Sequence, residues 1–195
     1  KTTTAINSAI TLAQSGADVL LIDCDLRRPR IHDHFGVSNI SGLTNYLCGQ
    51  QDNVDELMQT YADVPKLQIM TAGPMPANPA DFLGSEEMLN LLNIVSDKFT
   101  YVILDSPPAS AFADAALLST LVDGVVIVVD SGRSSRTVAR RVKQRLTQVG
   151  ARIYGVVINY SDLEADEYYS GYYSDYYASD QATAHQKSLS ANSGS

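Results

Sequence analysis

Five short apolar runs punctuate the chain: Val19–Asp23 (VLLID), Leu67–Met70 (LQIM), Tyr101–Asp105 (YVILD), Val125–Val129 (VVIVV) and Ile153–Ile158 (IYGVVI). They lack polar alternation, so they read as strands buried on both faces, as in a parallel sheet covered by helices. Helical patterns lie between them. Thr2–Gln14 is ended by Gly16. Glu86–Lys98 follows Ser85, which serves as its N-cap. Ala113–Leu121 is a third, and Ser134–Val149, basic along its exposed side, is ended by Gly150. The alternation predicts a doubly wound α/β domain, with a mostly parallel sheet and helices on both faces. Arg27–Gln50 and Thr71–Gly84 are polar, carry Pro and Gly, and read as loops with short helical turns.

The pattern stops near Ser161. Residues 161–195 are Tyr, Ser, Asp, Ala, Gly and Gln with almost no aliphatics. Such a segment buries too little apolar surface to offset its ordering entropy, so it is expected to be a disordered tail. The division expected is a domain over 1–160 and a flexible tyrosine-rich tail over 161–195.

Charge sharpens that division. Of the formal −8, the tail carries six acidic residues and one basic residue, a net −5 that leaves about −3 for the rest. A near-neutral body with an acidic tail offers no electrostatic basis for binding nucleic acid. Cys24 and Cys48 form neither a metal-like pair nor a disulfide framework. No apolar run approaches the roughly 20 residues needed to span a bilayer, and no signal peptide is expected. The chain opens on Lys1 rather than Met, and is expected to be a fragment of something longer.

Ligands of doubly wound sheets bind beyond the carboxyl ends of the strands. Three features gather there. Lys1-Thr2-Thr3-Thr4 opens a helix and reads as the end of a phosphate-binding loop, G-x-x-x-x-G-K-[ST], without its glycines and preceding strand. A helix N-terminus offers free N–H groups and a positive dipole end to phosphate. Lys1 is then placed for the β- and γ-phosphates and the Thr2 hydroxyl for Mg²⁺. Next, Val19–Arg28 (VLLIDCDLRR) ends a strand in two carboxylates, Asp23 and Asp25, whose side chains share one side of an extended chain. Such a pair can share a divalent ion and its waters. Arg27 and Arg28 follow, placed for either phosphate or the carboxylates. Last, YVILDSPP ends a strand at Asp105, as in a Walker B strand, with Pro107 and Pro108 stopping it.

In this order the three features resemble the deviant Walker group of P-loop ATPases, and within it the bacterial tyrosine kinases of capsule and exopolysaccharide synthesis. LLIDCDLRRPRIHDHFG, GLTNYLCG (Gly42–Gly49), TAGPMPANPADFL (Thr71–Leu83) and DSPPASAFADAALLSTLVDGVVIVV (Asp105–Val129) resemble segments of that family. The resemblance implies a P-loop NTPase-like fold, ATP and Mg²⁺ as cofactors, and roles for individual residues. Lys1, Asp23, Asp25 and Arg27 would form the catalytic set. Lys1, Thr2, Thr3 and Asn159 would bind the nucleotide, with Asn159 at an adenine-contacting position. Thr2, Asp25 and Asp105 would hold the metal. Asp23 is the candidate for activating the attacking hydroxyl, although Asp23 and Asp25 could exchange roles. Asp114 reads only as a dipole complement early in a helix, and Asp123 as the residue before a turn glycine. His32 and His34 lack further ligand types nearby.

Tyr168, Tyr169, Tyr172, Tyr173, Tyr176 and Tyr177 fall within ten residues of the tail. A phenol with pKa about 10 needs a base and neutralised phosphate oxygens before it attacks. An extended acidic segment suits an acceptor, and each phosphate adds about −1.5 to −2 charge. The resemblance implies that these tyrosines are the phosphoacceptors, modified between subunits of a ring-like homo-oligomer. It also implies a membrane chain-length regulator, fused or separate, a cognate tyrosine phosphatase, and a place on the cytoplasmic face of the membrane. Two other readings stand beside it. One is a Par- or Min-type ATPase switch, which gives the tyrosine cluster no purpose. The other is a non-catalytic phosphoacceptor or interaction module.

Overall fold

The computed structural model describes residues 1–161. The chain divides into two units, Lys1–Val129 with Arg133–Val157, and Asp130–Gly132 with Ile158 onward. In the first unit a four-stranded sheet has the order β2-β3-β1-β4. Its strands are β1 (Val19–Asp23), β2 (Met58–Thr60), β3 (Leu67–Met70) and β4 (Tyr101–Asp105). β1 lies between β3 and β4, parallel to both, with Leu21 opposite Ile69 and Ile103. β2 closes one edge antiparallel to β3.

Every residue of β1 is buried, which explains its unbroken apolar run. Alternate side chains enter two separate clusters. Leu20 and Ile22 pack with Leu43, Met70, Leu83, Met88 and Leu91. Val19 and Leu21 pack with Ile6, Ala9, Ala13, Ile31 and Leu67. The second cluster is covered by α1 (Thr2–Gln14), whose spacing of Ile6, Ala9 and Ala13 makes one apolar stripe. The first is covered by α5 (Glu86–Ser96), which buries Met88, Leu91 and Val95. The Ser85 hydroxyl accepts the Met88 N–H at 3.3 Å and caps α5. Each fully buried Leu or Ile contributes roughly 1.5–3 kcal/mol relative to exposure.

The two long loops contain the short helices α2 (Ile31–Phe35), α3 (Leu43–Leu47) and α4 (Pro79–Leu83). They are laced together at the end of β3. Leu43 and Thr44 donate their N–H groups to the Thr71 and Ala72 carbonyls at 2.8 and 2.9 Å. Gly42 is required by this approach, since a Cβ there would lie 2.1 Å from the Thr71 carbonyl oxygen. The helix α6 (Asp114–Leu118) follows β4.

The remaining strands, β5 (Val125–Asp130) and β6 (Ile153–Asn159), form a second, two-stranded sheet, rather than continuing a single sheet as the alternation predicted. They are joined by α7 (Arg136–Gln148), capped by the Ser135 hydroxyl. Gly124 lies against the Tyr154 ring and leaves no room for a Cβ. In the second unit, the Ser131 N–H donates to the Asn159 carbonyl at 2.9 Å.

Leu21→Ala is expected to lower unfolding free energy by roughly 2–5 kcal/mol, as for other buried Leu truncations. Gly42→Ala is expected to cost about 1–3 kcal/mol by overpacking against backbone. Urea unfolding checks both. An unchanged midpoint for Gly42→Ala would show that the loop yields.

Candidate active site

The carboxyl ends of β1 and β4 bring together residues far apart in sequence. Asp23 and Asp105 are register partners on these adjacent strands. The turn after β1 places Asp25 beside them, and α1 delivers Lys1 and Thr2. Lys1 Nζ donates to Asp105 Oδ1 at 2.8 Å and lies 3.9 Å from Asp25 Oδ2. Thr2 Oγ1 donates to Asp105 Oδ2 at 2.6 Å. Asp105 is 2% exposed, so its charge depends on these two donors in place of water. α1 begins without a side-chain cap, leaving its first-turn N–H groups and positive dipole end for an anion. Thr3 is exposed in that turn. Among the described residues its side chain forms no hydrogen bond.

The two aspartates of the D-x-D pair differ sharply. Asp23 is fully buried. Its Oδ1 accepts the Asp25 N–H at 3.2 Å, and its Oδ2 accepts the Arg30 and Ile31 N–H groups at 3.0 Å each. It therefore clasps the turn and satisfies the start of α2. Burial pushes its pKa up to about 6, against the lowering pull of the Ile31 and Arg30 hydrogen bonds, with Asp105 adding a smaller upward push. Asp25 commits one oxygen to the Arg28 N–H at 3.0 Å and turns the other toward Lys1. The aspartate expected to activate an incoming hydroxyl is thus the one sealed from solvent.

Arg27 has a partner that sequence reasoning missed. Its Nε and Nη2 donate to Asp114 Oδ2 and Oδ1 at 2.8 and 3.0 Å, a bidentate pair across 87 positions. The guanidinium stacks over Phe112, 4.2 Å from the ring centroid. Asp114 is fully buried, a position no dipole complement needs and an unpaired carboxylate could not tolerate. The only available signal was an acid opening an otherwise apolar helix. Arg27 also borders a cleft of about 360 Å³ lined by Ala77, Asn78, Pro79, Ala80 and Asp81.

Asn159 ends β6 in the second unit, where its carbonyl accepts from Ser131. The six tyrosines lie outside the described residues. Among the described residues no helix is long and apolar enough to cross a membrane, and no group of three or more His, Cys, Asp or Glu is arranged to hold a metal ion. The oxygens of Thr2, Asp25 and Asp105 nevertheless fit a hard cation that takes its other ligands from phosphate and water.

Comparison with known proteins decides the family. The P-loop family described as "ParA: NUBPL iron-transfer P-loop NTPase" matches residues 1–192. Tyrosine-protein kinase YwqD of Bacillus subtilis is 37% identical over 172 residues, which span 88% of this chain and 72% of YwqD. The chain belongs to the bacterial tyrosine kinases of the P-loop NTPase class. Tyrosine-protein kinase etk of Escherichia coli is 35% identical over 87% of this chain, which spans only 23% of etk. Among solved structures, the VpsO kinase domain superposes with a TM-score of 0.78 at 37% identity, covering 83% of this chain and 79% of that one. The MinD cell division ATPase of Pyrococcus furiosus, at 24% identity and a TM-score of 0.68 over 83% of this chain and 68% of that one, shares the fold. In this tyrosine kinase, then, the D-x-D pair and Asp105 occupy the carboxyl edge of a P-loop sheet.

Asp23→Asn replaces one acceptor oxygen by an NH₂ group facing backbone donors. It is expected to lower stability by roughly 1–3 kcal/mol, with Thr3→Ala changing it by less than about 0.5 kcal/mol. Urea midpoints at constant slope check this. Equal, small effects of both would remove the clasp assigned to Asp23.

Proposed function

We propose that this kinase transfers the γ-phosphoryl group of ATP to the tyrosines of its own cluster, Tyr168, Tyr169, Tyr172, Tyr173, Tyr176 and Tyr177, between subunits. The observation that carries this reading is the convergence of Lys1, Thr2, Asp25 and Asp105 at one helix N-terminus. A tyrosine cluster in the same chain gives that convergence an acceptor. In the transfer, the tyrosyl oxygen forms a bond to the γ-phosphorus, the bond from that phosphorus to the β,γ-bridging oxygen breaks, and ADP leaves with that electron pair. The phenolic proton passes to a carboxylate. We assign that role to Asp25, whose Oδ2 faces the Lys1 ammonium rather than a backbone donor, and the positioning of the turn to Asp23.

Lys1 would exchange Asp105 for the β- and γ-phosphate oxygens. Thr2 and Asp105 would hold Mg²⁺, which neutralises phosphate charge when bound, leaving Asp25 to accept the proton. The helix N–H groups orient the phosphates. Asn159 would contact the adenine. By the same reading the kinase serves capsule or exopolysaccharide synthesis, forms a ring-like homo-oligomer, and works at the cytoplasmic face of the membrane. A chain-length regulator and a tyrosine phosphatase would be its partners.

The experiment is incubation of the protein with labelled ATP and Mg²⁺, followed by mapping of the label. Label is expected on residues 168–177, falling about 100-fold or more in Lys1→Met and in Asp25→Asn. Phosphate released only to water, with no phosphotyrosine, would instead make the protein an ATPase switch.

A further inference from the structure

No step of the transfer uses Arg27 or Asp114, yet the fold buries a charge to bring them together. The Asp114 side chain is 1% exposed and that of Arg27 31%. A buried ion pair contributes little net stability, because desolvation offsets the attraction, and apolar residues of matching volume often serve as well. Stability alone is therefore a weak account of the pair. The positions of its two ends give a better one. Arg27 lies in the turn after β1, two residues beyond Asp25, the proton acceptor assigned above. Asp114 opens α6, which the segment Ser106–Ala113 joins to Asp105 at the end of β4. The pair is a strut between the turn that carries Asp25 and the element that follows Asp105.

Both ends of the strut are fixed. Leu118 of α6 is buried with Leu26 and Leu83 in the first apolar cluster, and α6 lies against α4. Before α6, the N–H groups of Ala111 and Phe112 donate to the Pro108 carbonyl at 3.0 and 3.2 Å, and the Phe112 ring backs the guanidinium. The fork of two hydrogen bonds, at 2.8 and 3.0 Å, sets direction as well as distance. Within the turn, Asp23 holds N–H groups only at the two ends, those of Asp25, Arg30 and Ile31. Between them Asp25 Oδ1 accepts the Arg28 N–H, so residues 25–28 form one hydrogen-bonded unit. The Arg27 side chain ties that unit to α6.

We propose that Asp114 is a positioning residue: through Arg27 it holds the Asp25 carboxylate in place against Lys1, Thr2 and Asp105. The inference rests on the reading of Asp25 as the proton acceptor. Such a group must reach the attacking hydroxyl within about 2.6–3.2 Å, and a misplacement of about 1 Å can cost roughly 100-fold in rate. Loss of the strut leaves Leu26 in the core but frees the turn to shift. Turnover then falls, while the phosphates still meet Lys1 and the start of α1.

The test measures total ATP turnover by the full chain, as label on tyrosine plus label released to water, across ATP concentrations. Urea midpoints are taken in parallel. Asp114→Asn is expected to lose both stability and kcat. The apolar pair Arg27→Met/Asp114→Leu is expected to recover most of the midpoint. Its kcat should nevertheless stay down about tenfold or more, with KM for ATP changed by less than about twofold. Arg27→Lys keeps the charge without the fork and should show the same split. An apolar pair that is folded and turns over ATP at the unsubstituted rate overturns the proposal, because the contact is then merely structural. Should that variant fail to fold, Arg27→Lys decides, and an unchanged kcat there overturns the proposal. A raised KM at unchanged kcat in either variant overturns it too, since the pair would then serve ATP binding. Label found only in water, with the split intact, removes the tyrosine acceptor and leaves the strut, because the same carboxylate would take its proton from water. No turnover by the unsubstituted protein removes both.

Discussion

The structure depends on the burial of β1 on both faces. A strand whose every residue is buried needs a layer on each side, and α1 and α5 supply them. It also needs a parallel neighbour on each edge, and β3 and β4 supply those. Polar residues are excluded along its length and reappear where it emerges, at Asp23 and Asp25. The covering helix α1 begins at the same end, so its positive pole and Lys1 face those carboxylates. The chemistry is concentrated where the packing lets charge return, held by directed donors rather than by water.

That end of the sheet is an electrostatic compromise. Asp23, Asp25 and Asp105 lie close together, and burial, with a smaller push from Asp105, works against the ionisation of Asp23. The fold answers with directed donors: backbone N–H groups for Asp23, Lys1 and Thr2 for Asp105, the Arg28 N–H for Asp25. Each carboxylate is thereby fixed in orientation. Preorganisation of this kind avoids reorganisation when a charged substrate enters.

Much of this was legible in the chain. The five apolar runs became strands, and Thr2–Gln14 became a helix with those bounds, because long apolar or periodic segments report burial directly. The strand β2 went unseen, since three residues, Met-Gln-Thr, carry no pattern and pair only because β3 offers an edge. The division into two sheets was also invisible, because strand pairing is a tertiary property that local periodicity does not encode. At the site, residue types and spacing marked Lys1, Thr2, Asp25 and Asp105 as companions. They did not distinguish Asp23 from Asp25, because the difference lies in the Arg30 and Ile31 N–H groups that fold back onto one of them. Nor did they connect Arg27 with Asp114, whose contact spans 87 positions.

The Arg27–Asp114 pair has a consequence for how sequences of this kind can drift. Losing the arginine alone strands a carboxylate in a dry interior, and losing the aspartate alone leaves a guanidinium held only by an aromatic ring. Either intermediate is destabilised, whereas replacing both by apolar residues of matching volume need not be destabilising. The two positions are therefore expected to be inherited together or exchanged together. Phe112, two residues before the aspartate, stands on the same path, since its ring is the other support of the guanidinium.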